Sequence, residues 1–219
     1  AVRLKTADPV TGEYTSVSFG RNEMAAAVRL LAYSPQTISM IPLLINEAGN
    51  GNYRPLIAQF QMTLSNLSES LALGMHNSVM CTEDAPYYNE TLVDLDALRA
   101  SYMGPMQLEA LEAICSIWPK GLIDDDLRTP LSTDTPVLLL SGTADPITPP
   151  RYADMAARNL HKAWLLTGKH QGHGQLPVGC MPRLIDEFVR NEGLEDVDTS
   201  CFTDSFVMPF FLDFAGPAP

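Results

Sequence analysis

Polar and apolar residues alternate in two short runs near the start of the chain, VRLKTA and YTSVSF, on either side of Asp-Pro-Val-Thr-Gly-Glu. A period of two marks a half-buried strand, and the breaker-rich stretch between the runs predicts a hairpin over residues 1–20. From Asn22 the period changes. Met24, Val28 and Leu31 recur at i, i+4, i+7, which predicts a helix ending near Tyr33, ahead of Ser34-Pro35. A second helix is expected from Gln36 or Thr37 through Ala48, and a third from Tyr53 to Leu73 along Leu56, Phe60, Leu64 and Leu67. Helices in a row without long strands between them predict a helical subdomain. Beyond it, the apolar piece Ser78 to Cys81 reads as a short strand and Thr-Glu-Asp-Ala-Pro as an acidic loop. Leu92 to Ile117 reads as a further helical region, closed by Trp-Pro-Lys-Gly.

At Pro136 the character of the chain changes. The preceding residues 124–135, DDDLRTPLSTDT, read as a polar linker, with Asp124, Asp125 and Asp126 a solvated charge run. Val137 to Leu140 is an unbroken apolar run, the pattern of a strand covered on both faces. Tyr152 to Leu160 has helical composition, Ala163 to Thr167 is a second strand and Met181 to Arg190 a second helix. Strand, helix, strand, helix in succession implies parallel pairing, so the fold class is α/β. The tail SFVMPFFLDFAGPAP has no period.

Composition narrows the function classes. With 14 Lys+Arg against 26 Asp+Glu the net charge is -12, which argues against nucleic acid and against an anionic membrane surface, both of which need basic patches. No apolar run reaches the roughly 18 residues of a membrane span. No signal peptide is read in AVRLKTADPVTGEYTS, whose opening has the look of the interior of a longer protein. Cys81, Cys115, Cys180 and Cys201 contain no C-x-x-C pair. Three disulfide connectivities are open; Cys81–Cys115 with Cys180–Cys201 is preferred because each closes a short loop within one segment. Four buried free thiols in a cytoplasmic protein is the alternative.

Candidate chemistry sits past the two strands. In an open parallel sheet, functional groups gather beyond the carboxyl ends of the strands. Asp145 follows the first strand and His173 the second, with Gly172 and Gly174 beside the histidine. Adjacent parallel strands lie about 4.8 Å apart, so the two loops can meet. A carboxylate that accepts the imidazole N–H leaves the other ring nitrogen as a general base. Each residue alone also fits a structural reading, Asp-Pro as a turn opener and the histidine as a solvated loop residue. His170-x-x-His173 lacks an acidic or Cys partner at metal-ligand spacing, and no cofactor motif is read. His76 and His161 receive no role, and Trp118 and Trp164 are assigned to packing.

Together these residues carry a family likeness. Gly142-Thr-Ala-Asp145-Pro-Ile-Thr-Pro149, Gly172-His173-Gly174 and the later Cys180 and Cys201 resemble the C-terminal part of α/β-hydrolases of the tripeptidyl aminopeptidase and proline iminopeptidase type. The upstream Ile-Pro-Leu-Leu-Ile, Val-Met-Cys-Thr-Glu-Asp and Cys-Ser-Ile-Trp-Pro fit the same group. The resemblance implies a partial α/β-hydrolase fold: residues 1–21 leading into a mostly helical cap at 22–135, then a C-terminal segment at 136–219 bearing the Asp and His of a triad. One element departs from the pattern. The family's nucleophile sits in Gly-x-Ser-x-Gly, which is absent, and Ser65, Ser68 and Ser78 lack the flanking glycines.

The expectation is therefore a secreted or periplasmic serine hydrolase segment, with a cytoplasmic protein as the alternative. It would serve an exopeptidase acting on peptides with a free amino terminus and would be inactive alone. Its expected partners are the substrate and the missing N-terminal segment of the same protein. Glu83 and Asp84 are the candidates for holding the substrate ammonium; a solvated acidic loop is the plain alternative. An esterase-type hydrolase of small molecules, or a non-catalytic fragment binding a peptide or partner, are the competing functions.

Overall fold

The computed structural model describes residues 1–8, 10–204 and 206–217. The chain opens with strands β1 (Val2–Ala7) and β2 (Tyr14–Phe19). Helices α1 (Arg21–Leu31), α2 (Pro35–Ile38), α3 (Ile41–Gly49), α4 (Arg54–Ser70), α5 (Leu73–Val79), α6 (Leu95–Ala100) and α7 (Met106–Cys115) follow. Then come β3 (Val137–Gly142), α8 (Pro150–Ala157), β4 (Ala163–Gly168), α9 (Met181–Asn191), α10 (Ser200–Thr203) and the short β5 (Phe211–Asp213) and β6 (Gly216–Pro217). Proline stands in the first turn of α2, α3, α4, α8 and α9, where its missing N–H costs nothing and its fixed φ suits the helix. The residues divide into two compact units, 1–28 with 53–128, and 29–52 with the chain from Thr129 onward.

In the first unit β1 and β2 pair antiparallel from Val2↔Phe19 to Ala7↔Tyr14. Asp8 closes the turn by accepting the amides of Val10 (2.9 Å) and Thr11 (2.7 Å); Pro9 of that turn lies outside the described residues. Phe19 meets Phe60 of α4 edge-on at 6.2 Å, and Leu56 and Ile57 are fully buried. The strand expected at Ser78 to Cys81 does not form. α5 runs on into a π-helical turn, Met80–Asp84, because Cys81 is drawn into a disulfide with Cys115 and Thr82 Oγ1 accepts the Gly121 amide at 2.9 Å. A four-residue apolar run cannot by itself separate a strand from a buried helical turn. The helical region from Leu92 is likewise two helices, parted where Gly104 takes φ +58° ahead of Pro105.

In the second unit β3 and β4 are parallel, paired from Val137↔Ala163 to Gly142↔Gly168, and α8 makes the crossover. The expected linker adds a parallel bridge, Thr133↔Leu160, below the strands. Val137 to Leu140 are half-buried rather than covered on both faces. Leu138 and Leu140 pack on a core of Leu166, Met181, Leu184, Leu194 and Phe202. Trp164 packs edge-on against Phe188 there at 5.6 Å. The disulfide Cys180–Cys201 ties the start of α9 to α10. The helix expected through Ala48 is broken at Ser39, which is buried and whose carbonyl accepts the Phe211 amide at 3.0 Å. Ser205, Ala218 and Pro219 of the aperiodic tail lie outside the described residues.

Candidate active site

The loops after β3 and β4 are sewn together before any side chain is considered. Thr143 N–H donates to the Gly168 carbonyl (3.0 Å), Ala144 N–H to that of Gln171 (2.9 Å), and His170 N–H to Thr143 Oγ1 (2.7 Å). Gly142 permits this contact, since a Cβ there would strike the carbonyl oxygens of Gln171 and Gly172. The strand ends therefore deliver Asp145 and His173 to one place.

Asp145 is almost fully buried, and its carboxylate is satisfied on both oxygens. Oδ1 accepts the amides of Ile147 (2.7 Å) and Thr148 (2.9 Å); Oδ2 accepts Thr148 Oγ1–H (2.9 Å) and lies 3.0 Å from His173 Nδ1. Burial is the largest single influence on this group and pushes its pKa up. The amides of Thr148 and Ile147, His173 and the Thr148 hydroxyl together outweigh it and hold the carboxyl below the usual range. A carboxylate only accepts, so Nδ1 must carry the proton and Nε2 is left as the basic nitrogen. Among the described residues no side chain hydrogen-bonds Nε2.

A carboxyl whose folded pKa is depressed stabilises the fold above its unfolded value, near pH 4, and loses that contribution as pH falls through the folded value. Asp145→Asn is expected to flatten the acid limb of stability. Denaturant midpoints of both proteins between about pH 3 and pH 6 check this; parallel curves would contradict it.

His173 is held from a second side. Its backbone N–H donates to the Tyr33 carbonyl at 2.6 Å, and the Tyr33 ring meets the imidazole edge-to-face with centroids 5.5 Å apart. Gln175, itself buried, donates its amide N–H to the Gly172 carbonyl. A Cβ on Gly172 would collide with the Tyr33 carbonyl, so glycine is required for close approach. Gly172→Ala is expected to cost about 1–3 kcal/mol, as overpacking against backbone does. Urea unfolding measures the loss, and an unchanged midpoint would refute the packing. The imidazole faces a cavity of about 820 Å³ lined in part by Pro35, Gln36, Pro177, Val178 and Phe206.

Glu83 and Asp84 belong to the other unit, on the π-helical turn. With Leu127 and Arg128 they line a cavity of about 300 Å³. Arg128 donates to the Glu83 carbonyl at 2.9 Å and stacks over the Tyr87 ring at 3.8 Å. Among the described residues neither carboxylate has a hydrogen-bonding or ionic partner, and no cluster of His, Cys, Asp and Glu could hold a metal.

Residues 100–201, which span both Asp145 and His173, match the family model described as TAP-like protein, an α/β-hydrolase group. Over this segment the chain is similar to the TAP-like α/β-hydrolases. Curated proteins and solved structures yield no match. The match implies the α/β-hydrolase fold, and the matched segment contains a parallel strand–helix–strand unit, β3–α8–β4. Sequence reasoning missed three residues around the histidine. Thr148 was within reach, because Asp-Pro-x-Thr is an Asx-turn pattern in which the later residues bond back to the aspartate. Tyr33 and Gln175 gave no signal: one is remote in sequence, and the other looks like any loop glutamine.

Proposed function

We propose that this TAP-like segment is the acid–base half of a serine exopeptidase, with the nucleophile elbow outside these 219 residues. The observation that carries the reading is the buried, fully hydrogen-bonded Asp145 carboxylate 3.0 Å from His173 Nδ1. In the assembled enzyme, a serine Oγ attacks the scissile carbonyl as its proton passes to Nε2, and Asp145 stabilises the imidazolium. Nε2–H then protonates the departing amine, leaving an acyl-serine. Water, giving its proton to Nε2, adds to the acyl carbon and releases the acid, and the proton returns to serine. Glu83 and Asp84 are proposed to receive the substrate ammonium: among the described residues their carboxylates have no partner, and the Cys81–Cys115 disulfide stiffens the turn that bears them. Two disulfides suit an oxidising compartment, so a secreted or periplasmic setting is proposed; among the described residues no helix is long and apolar enough to cross a membrane.

The test joins this chain to an upstream segment bearing Gly-x-Ser-x-Gly. A fluorophosphonate probe is expected to label the joined protein on its elbow serine and to leave the 219-residue chain untouched. Labelling of the short chain would overturn the placement of the nucleophile. In the joined protein, Glu83→Gln with Asp84→Asn is expected to raise KM for peptides about tenfold, the loss of one charge-assisted contact, while ester turnover is unchanged. Equal losses on both substrates would remove the ammonium role.

A further inference from the structure

We infer that Tyr33 is a positioning residue for His173, an inference that rests on the acid–base reading above. An imidazole on a glycine-flanked loop is poorly constrained, because its terminal torsion is broad and roughly two-fold. Both polar contacts of the ring, Asp145 Oδ2 at 3.0 Å and the longer Thr148 Oγ1 at 3.3 Å, fall on Nδ1, so they hold the ring at one atom and leave it free to rock about that point. Two further restraints converge from a segment about 140 residues earlier in the chain. The Tyr33 carbonyl takes the His173 amide proton at 2.6 Å, which fixes the backbone from which the side chain springs. The phenol ring stands against the imidazole with planes at 68° and centroids 5.5 Å apart, the edge-to-face geometry in which aromatic rings attract.

The segment that presents Tyr33 is itself braced. α1 ends at Leu31 and α2 begins at Pro35, so Tyr33 sits in the two-helix junction. Ser34 caps α2, its Oγ accepting the Thr37 amide at 3.3 Å. The Thr37 hydroxyl donates to the Leu31 carbonyl at 2.5 Å and lies 2.9 Å from Ser34 Oγ. One threonine thus ties the end of the first helix to the start of the second, and the residue between them has little freedom to move away from the histidine. The backbone contact survives any change of side chain, so the ring's share can be tested separately.

The readout is the His173 Nδ1 proton, followed by NMR on the 219-residue chain. Tyr33→Ala is expected to speed exchange of that proton with water roughly tenfold, the scale of losing one aromatic pair. Tyr33→Phe, which keeps the ring, is expected to restore the slow exchange. Tyr33→Leu preserves apolar bulk without the aromatic face and is expected to behave like Tyr33→Ala, so it replaces that variant if the truncation does not fold. Wild-type exchange in the folded Ala or Leu protein would overturn the inference, as would failure of Tyr33→Phe to restore it. Asp145→Asn is the separate control. If the slow proton persists in Asp145→Asn, the acid–base reading has failed; if it vanishes there and ignores Tyr33, only the positioning role has.

Discussion

Asp145→Asn is expected to lower kcat of the joined hydrolase about 10⁴-fold with little change in KM. An amide has the carboxylate's shape but not its chemistry. Oδ2 of Asp145 accepts from both His173 Nδ1 and Thr148 Oγ1, and Oδ1 accepts two backbone amides. In the variant the amide oxygen is claimed by the two backbone N–H groups, so the NH₂ faces the histidine and makes Nδ1 an acceptor. The proton moves to Nε2, and the nitrogen that should receive the serine proton is occupied. Folding should persist, because the two amides keep their acceptor, so circular dichroism is expected to match the parent. Retention of more than about a tenth of kcat would separate Asp145 from the chemistry, since general-base catalysis alone contributes 10²–10⁴-fold.

Replacing Cys180 and Cys201 together by serine is expected to destabilise the second unit by roughly 3 kcal/mol, the chain-entropy value for a loop of this length. The pair spans 21 residues and pins α10, whose Phe202 is buried in the core against Gly168 at the end of β4. A stability loss of that size corresponds to a fall of roughly 10 °C in Tm, read by calorimetry. Because Phe202 also reaches the loop that begins at Gly168, the variant should broaden the His173 resonances well below the melting point. A Tm within about 2 °C of the parent would mean that packing, not the cross-link, holds α10.

Much of the site was legible because its parts are local. Asp145 and His173 each follow an apolar run and stand in short motifs, and parallel pairing of the runs brought them together. The hairpin was legible for the same reason, two alternating runs around a breaker-rich turn. What escaped depended on distant partners. The run Ser78 to Cys81 became helical through a cross-link 34 residues long, which no window of local periodicity contains. Residues 29–52 read simply as more helix, yet they group with the C-terminal unit and present Tyr33 to His173. The breaks near Ser39 and at Gly104 were within reach, since Pro42 and Gly104-Pro105 are breakers set inside otherwise helix-forming stretches.

The interleaving of the two units sets an order on biosynthesis. Once residue 128 has left the ribosome, every part of the first unit exists, and it can close around its 81–115 cross-link. The stretch 29–52 has by then been made without the residues from Thr129 onward that it groups with. The residues it groups with follow from Thr129, and at 5–20 residues per second the wait from residue 52 to residue 217 is roughly ten to thirty seconds. Throughout that interval Leu44 and Ala48, buried in the finished protein, stand exposed on a nascent helix. A holdase that shields this stretch during the wait would therefore raise the yield of correctly assembled protein.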